Sequence, residues 1–106
     1  MAVKRMEQER KALSMTILRE VLAHMRAGHW SLAHNLVQSD DSPLGAWLHG
    51  ILHIQEGDLE DAEYWYDKAN QHFRSRGSLQ EELEHFEAAL LRDGGPTSLA
   101  VPASTL

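Results

Sequence analysis

Residues 43–69 have the sequence P-L-G-A-W-L-H-G-I-L-H-I-Q-E-G-D-L-E-D-A-E-Y-W-Y-D-K-A, and this stretch decides the fold. It contains two short amphipathic segments, one on each side of Gly57. Ser42 followed by Pro43 is typical of a helix cap with proline at the first helical position, where a missing N–H costs nothing. Gly57 ends the first helix and Asp58 caps the second. We therefore predict a helical hairpin at the centre of the chain.

The remaining sequence predicts three further helices. Apolar residues recur at steps of three and four over the first 27 positions, and Gly28 stops that helix. Ser78 and Glu81 form a capping box, in which each side chain satisfies a free amide of the other residue. The predicted helices cover residues 3–27, 30–38, 43–55, 58 to 72 or 73, and 79–92. The fold class is therefore all-α, with about five helices.

Length and composition limit the domain organisation. A chain of 106 residues builds one small core, which we place in residues 1–92. Residues 93–106 lack periodicity and bulk, which predicts a flexible C-terminal tail. Without cysteine the chain has neither disulfides nor thiolate metal sites, as suits a reducing compartment. No stretch resembles a signal peptide or a membrane span, so we expect a cytoplasmic protein that does not bind membranes.

The distribution of charge bears on the partners. Ten basic and sixteen acidic side chains give a net charge of −6, which argues against nucleic acid as a partner. Residues 1–26 contain six basic and three acidic side chains, whereas residues 40–93 contain four basic and thirteen acidic ones. Such complementary halves can pair within one chain or between two chains. The asymmetry therefore suggests a homodimer as one alternative.

The central hairpin resembles a tetratricopeptide repeat. The pair Gly28 and Ala33 recurs 29 residues later, which indicates two hairpins of related design. The positions where the family has small, turn, small, aromatic and small residues are occupied here by Gly50, Gly57, Ala62, Tyr66 and Ala69. Trp47 falls one place late in this frame, and Arg74 replaces the closing proline. The resemblance implies a short α-solenoid of tetratricopeptide-like hairpins that binds peptides or partner proteins.

A second resemblance rests on residues 49–66, which contain the pattern H-G-x2-H-x2-E-G-D-x3-A-x-Y-W-Y. This pattern is similar to that of a group of small uncharacterised microbial proteins. It is more specific than the generic repeat, but it implies no assigned activity.

An apolar stripe on the third predicted helix is the candidate partner-binding surface. Its residues follow a 3,4,3 spacing and are Leu44, Trp47, Ile51 and Ile54. In a longer repeat array this face lines the concave groove, so the stripe predicts binding of a protein or peptide. It can also pack within the chain, against Leu18, Leu22 and Met25, or against a second copy. Our leading hypothesis is accordingly a protein-interaction module, such as a small adaptor or chaperone-like protein.

The alternative hypothesis is a small-molecule- or metal-binding protein. His49 and His53 are four residues apart on one helix face, and Glu56 lies one turn further on. Imidazole and carboxylate groups are suitable ligands for zinc or iron, although our main expectation is that no metal or other cofactor is bound. His34 can approach the same seam. The candidate pocket residues are Trp30, His34, Gln38, His49, His53 and Trp65.

One further interpretation of these side chains stays open. The histidines can be structural, each bonded to a carbonyl or tyrosine hydroxyl between packed helices. Catalysis is not expected, because the sequence has no cysteine nucleophile, no G-x-S-x-G motif and no glycine-rich phosphate loop.

Overall fold

The computed structural model describes residues 2–94, and these residues form five helices. The helices are α1 Ala2–Arg26, α2 Trp30–Val37, α3 Pro43–Glu56, α4 Leu59–Lys68 and α5 Leu79–Gly94. The predicted all-α class is thus confirmed, with no strand in the described range. Over the same range no helix combines the length and the apolar character needed to cross a membrane. Of the predicted tail, Asp93 and Gly94 are the last residues of α5, and residues 95–106 lie outside the described part.

Three helix starts are fixed by the capping groups that the sequence predicts. The Ser42 hydroxyl accepts a hydrogen bond from the amide three residues ahead at 3.0 Å, and the Asp58 carboxylate does the same at 3.2 Å. At the start of α5, the Ser78 hydroxyl accepts from the Glu81 amide at 3.1 Å. The Glu81 carboxylate in turn accepts from the Ser78 amide at 2.8 Å. Both bonds of the predicted capping box are therefore present.

The end of α4 differs from the prediction. We expected this helix to continue to residue 72 or 73, but it ends at Lys68. Asn70 has a left-handed backbone with φ of 60°, and the Gln71 amide donates back to the Tyr66 carbonyl at 2.9 Å. This is a Schellman ending, which asparagine supports because its short polar side chain tolerates the left-handed region. The apolar pattern that continues past Lys68 therefore does not correspond to further helix.

The helices pack as two successive hairpins and a final helix. α1 packs on α2, α3 packs on α4, α2 lies against α3, and α5 covers both α3 and α1. The approach of α3 to α4 is close at Gly50, where an added Cβ would lie 2.5 Å from the Tyr66 ring. Glycine at this position therefore allows the aromatic ring to fill the space between the two helices.

Polar contacts attach α5 to the rest of the bundle. The Tyr66 hydroxyl donates to the buried Glu82 carboxylate at 2.6 Å, and the second oxygen of Glu82 accepts from the Gly77 amide at 2.9 Å. On the surface, the Arg26 guanidinium forms two hydrogen bonds to the Glu87 carboxylate, the shorter at 2.7 Å. α5 is thus held by α4 inside the bundle and by α1 at its edge.

Candidate functional site

The apolar stripe on α3 lies mainly inside the protein. Trp47 and Ile51 are buried, and the Trp47 ring meets Phe86 of α5 edge to face with 5.5 Å between ring centroids. Leu44 and Ile54 are partly buried against the same core. That core also contains the three α1 residues that the sequence offered as an intramolecular cover for the stripe, namely Leu18, Leu22 and Met25. The centre of the stripe is therefore covered by the chain's own helices.

Three histidines converge where α2 crosses α3. His49 and His53 are one helical turn apart on α3, so their rings stack with centroids 5.1 Å apart. His34 reaches them from α2, and its Nε2 atom lies 3.2 Å from Nε2 of His49. One ring nitrogen from each of the three residues lies within 4.8 Å of the other two. We call this group the histidine cluster.

Two tryptophans hold the rings of the cluster. The Trp30 ring stacks on His34 with centroids 4.7 Å apart, and its indole N–H donates to the Leu52 carbonyl at 3.2 Å. Trp65 of α4 stacks on His49 with centroids only 3.9 Å apart. Packing on both sides restricts the rotamers of the imidazole rings, which is a requirement for a preorganised binding site.

Glu56 contacts the cluster through His53. Nδ1 of His53 lies 3.1 Å from a Glu56 carboxylate oxygen. An ionised carboxylate can only accept, so Nδ1 carries the proton and the lone pair of this ring is on Nε2. Metal-binding histidines commonly have such a carboxylate behind them, because it fixes the tautomer and orients the ring. In the structure His34 thus lies with the two α3 histidines, and Glu56 orients the ring of His53 through a hydrogen bond.

Burial keeps two members of the cluster, His34 and His49, in the neutral form. Desolvation, with smaller effects from His53 and His34, lowers the pKa of His49 to about 4. Desolvation is also the main cause that lowers the pKa of His34, with His53 second, while Glu56 and Asp61 act in the opposite direction. At neutral pH both rings are therefore neutral, which is the form in which imidazole binds metals or exchanges hydrogen bonds.

The last candidate pocket residue, Gln38, is exposed and lies beside the cluster. Gln38 lines an open cleft of about 250 Å³ whose wall also includes His49, Trp65 and Lys68. The Tyr66 hydroxyl is not part of the histidine cluster, since it donates to Glu82 in the core. The predicted pocket residues are therefore neighbours in space, with five in the stacked group and Gln38 at the adjacent cleft.

A second group with metal-binding atoms combines His53 with Asp58 and Asp61 at the start of α4. Sequence analysis identified Asp58 only as a helix cap and did not single out Asp61. A turn separates His53 from the two aspartates, so helical periodicity does not predict that the three side chains lie close together. Asp58 is occupied as the cap of α4, and Asp61 is exposed, so this group is more open than the histidine cluster.

Comparisons of the chain with protein-family models, with curated proteins and with solved structures found no match.

Proposed function

We propose that this protein binds a transition-metal ion, with Zn²⁺ as the best fit, through His34, His49 and His53. The observation that carries the proposal is the convergence of three imidazole nitrogens within 4.8 Å of one another. Three histidines form a recognised zinc ligand set, and nitrogen ligands favour zinc, copper, iron or nickel over magnesium or calcium. This is the metal-binding alternative predicted from the sequence, with His34 in place of Glu56 as the third ligand.

The spacing of the ring nitrogens supports the proposal. Two nitrogens bound tetrahedrally to zinc, each at roughly 2.0–2.1 Å, are about 3.3 Å apart. The Nε2 atoms of His34 and His49 already lie 3.2 Å apart. A ring nitrogen of His53 lies within 4.8 Å of the other two ligand atoms, so His53 has to approach them to complete the set. A zinc ion bound by these three residues has a fourth position for water or another ligand.

Charge and protonation support it as well. The lowered pKa values of His34 and His49 mean that metal binding at pH 7 releases no net proton from these rings, although the Nε2 that donates in the metal-free contact must pass its proton to Nδ1. The nearby carboxylates of Glu56 and Asp61 favour positive charge at the cluster, as their effect on the pKa of His34 indicates. Without a metal, the same short contact is a hydrogen bond between two neutral imidazoles.

The test is a titration of untagged, chelator-treated protein with Zn²⁺ and with Co²⁺, followed by calorimetry and by the visible absorption of bound Co²⁺. We expect one ion per chain and an increase in thermal stability, since an ion that binds only the folded state stabilises it by about 2.7 kcal/mol at a hundred times its Kd. His34→Ala should weaken binding by more than the roughly 10- to 100-fold that loss of an outer hydrogen-bond partner costs.

The chain contains a matched control for this test. His24 and His29 form a surface pair with Nδ1 atoms 3.4 Å apart. The double variant His24→Ala/His29→Ala removes two histidines and should leave metal binding unchanged. Absence of binding to the unmodified chain, or loss of binding in the control but not in His34→Ala, would refute the proposal. The cluster would then serve as hydrogen-bonded packing between α2 and α3.

A second candidate function is the protein-interaction module implied by tetratricopeptide-like hairpins. We propose that α1 with α2 and α3 with α4 are two such hairpins, and that α5 caps them. The close approach at Gly50 and Tyr66 and the packing of α2 on α3 favour this arrangement. The contact of Arg26 with Glu87 is a departure, because repeats in an extended solenoid contact only their neighbours. The exposed apolar side chains of Met6 and Leu13 on α1 favour a role in protein binding.

A further inference from the structure

In the N-terminal half of α1, residues 4–13 lie outside the packed core. Every one of these residues is exposed, and the next buried residue along the helix is Met15. Two large apolar side chains on this half, Met6 and Leu13, are 56% and 61% exposed. They are seven residues apart and therefore lie on the same side of the helix. A helix of this length gains little stability by itself in water and depends on packing of its apolar side.

An apolar cleft runs along this part of α1. Its volume is about 570 Å³, and its opposite wall is the segment that joins α2 to α3. The apolar residues that line it are Leu13, Met15, Ile17, Pro43 and Leu44. The two walls are joined by hydrogen bonds, because Asp40 accepts from the hydroxyls of Ser14 and Ser42, both at 2.5 Å. A bond between α1 and the opposite wall thus keeps the cleft in shape.

The two sides of the cleft carry opposite charges. Arg10 and Lys11 outnumber Glu7 on the α1 side, and Asp40, Asp41 and Asp93 line the other side without a basic residue. Residues 4–11 contain four basic and two acidic side chains, whereas residues 40–93 contain four basic and thirteen acidic ones. A basic helix with exposed apolar residues would therefore suit a cleft with an apolar floor and an acidic rim.

The same chain carries both of these surfaces. Its own α1 cannot occupy the cleft, since α1 is one of the walls. We propose that the occupant is a second copy of this chain, so that the N-terminal half of each α1 lies in the cleft of the other protomer. In this symmetric dimer Leu13 covers the apolar floor of the neighbour, and Lys11 faces Asp41 of the partner subunit. Such an isologous contact uses both surfaces twice and closes the assembly at two chains.

The first test measures mass in solution by sedimentation equilibrium over a range of protein concentrations. We expect a dimer that Leu13→Asp weakens by at least tenfold in Kd, because a charge would be buried in an apolar contact. The matched control is Leu32→Asp on α2, where the leucine is 52% exposed and does not line the cleft. Since both leucines are exposed, circular dichroism should report an intact helical fold for both variants.

The second test exchanges the paired charges. Lys11→Glu and Asp41→Lys should each weaken the dimer, because each places two like charges against one another at both symmetric contacts. An equimolar mixture of the two variants should form a heterodimer in which both contacts are attractive again. An effect of either variant within its own chain cannot be restored by mixing, so recovery identifies a contact between chains.

Three results would overturn the proposal: a monomer at all concentrations, a dimer as sensitive to Leu32→Asp as to Leu13→Asp, or no recovery in the mixture. If the chain is monomeric at all concentrations, the occupant of the cleft would instead be a basic, apolar segment of a different protein. These outcomes are independent of metal binding, because no residue of the histidine cluster lines the cleft.

Discussion

The Nε2 atoms of His34 and His49 lie 3.2 Å apart, although the residues are fifteen positions apart and belong to different helices. The contact depends on the packing of α2 against α3 and on the Trp30 and Trp65 rings stacked behind the two imidazoles. It makes the histidine cluster a single unit, in which protonation, the proposed metal binding and stability are linked.

Stability should decrease in acid because of His49. Its pKa in the folded chain is about 4, below the ordinary value of 6.5. Between these two pH values the unfolded chain binds a proton that the folded chain excludes. The free energy of unfolding therefore decreases as pH falls through this window, by about 2 kcal/mol between pH 7 and pH 5 for this group alone. Urea denaturation at the two pH values should show this loss in the unmodified chain.

Substitution of His49 provides the check on that pH dependence. His49→Phe keeps an aromatic ring stacked on Trp65 but cannot be protonated, so its stability should change less between pH 7 and pH 5. The control His29→Phe alters an exposed ring and should keep the full decrease. Equal pH dependence in all three proteins would contradict the assignment to His49.

Glu56 should affect metal affinity without being a ligand. Glu56→Gln weakens the acceptor that holds the His53 N–H, and we expect metal binding to weaken by about 10-fold or more. Glu84→Gln, at an exposed site on α5, removes the same charge far from the cluster and controls for net charge. Kd values for Zn²⁺ measured by calorimetry distinguish an effect of the His53 hydrogen bond from an effect of net charge. If both variants weaken binding equally, Glu56 acts through charge alone.

Gly50→Ala should destabilise the protein, although alanine favours helix formation more than glycine does. The new methyl group would lie 2.5 Å from the buried Tyr66 ring, and displacement of a packed ring typically costs about 1–3 kcal/mol. Denaturant unfolding of Gly50→Ala, Tyr66→Leu and the double variant measures the coupling between the two sites. The cost of Gly50→Ala should be smaller when the ring is absent. Simple additivity would contradict the proposed steric cause.

The buried pair Tyr66 and Glu82 should contribute to stability. Tyr66→Phe removes the donor 2.6 Å from the Glu82 carboxylate, which then retains the Gly77 amide as its remaining close donor. Loss of one partner of a buried polar group costs roughly 1–3 kcal/mol. The control Tyr64→Phe affects a hydroxyl on a side chain that is 54% exposed, and it should change the free energy of unfolding by less than about 0.5 kcal/mol.

Helix positions were predicted well where the signals are local. The capping groups Ser42, Asp58, Ser78 and Glu81 bond within three residues, so their effect does not depend on the rest of the fold. The end of α4 was predicted wrongly because periodicity alone cannot show that Asn70 adopts the left-handed region. Glycine at the same position would have indicated the stop.

The candidate site was predicted only in part. Helical spacing placed His49, His53 and Glu56 on one side of α3, but it could not show that the carboxylate bonds to His53. Spacing also could not decide whether the stripe around Trp47 and Ile51 was a surface or a core. α1 and α5 pack over α3 in the folded chain, and the centre of the stripe is buried.

The sequence by itself determined the five helices, most of their boundaries and the neighbours that share a helix face. These properties follow from the helical repeat and from hydrogen bonds between residues three to five positions apart. Only the tertiary structure decided that His34 joins His49 and His53, that Trp47 is covered, and that Leu13 stays exposed. Those facts depend on how helices cross, which is set by the packing of side chains such as Tyr66 against Gly50 and not by any local pattern.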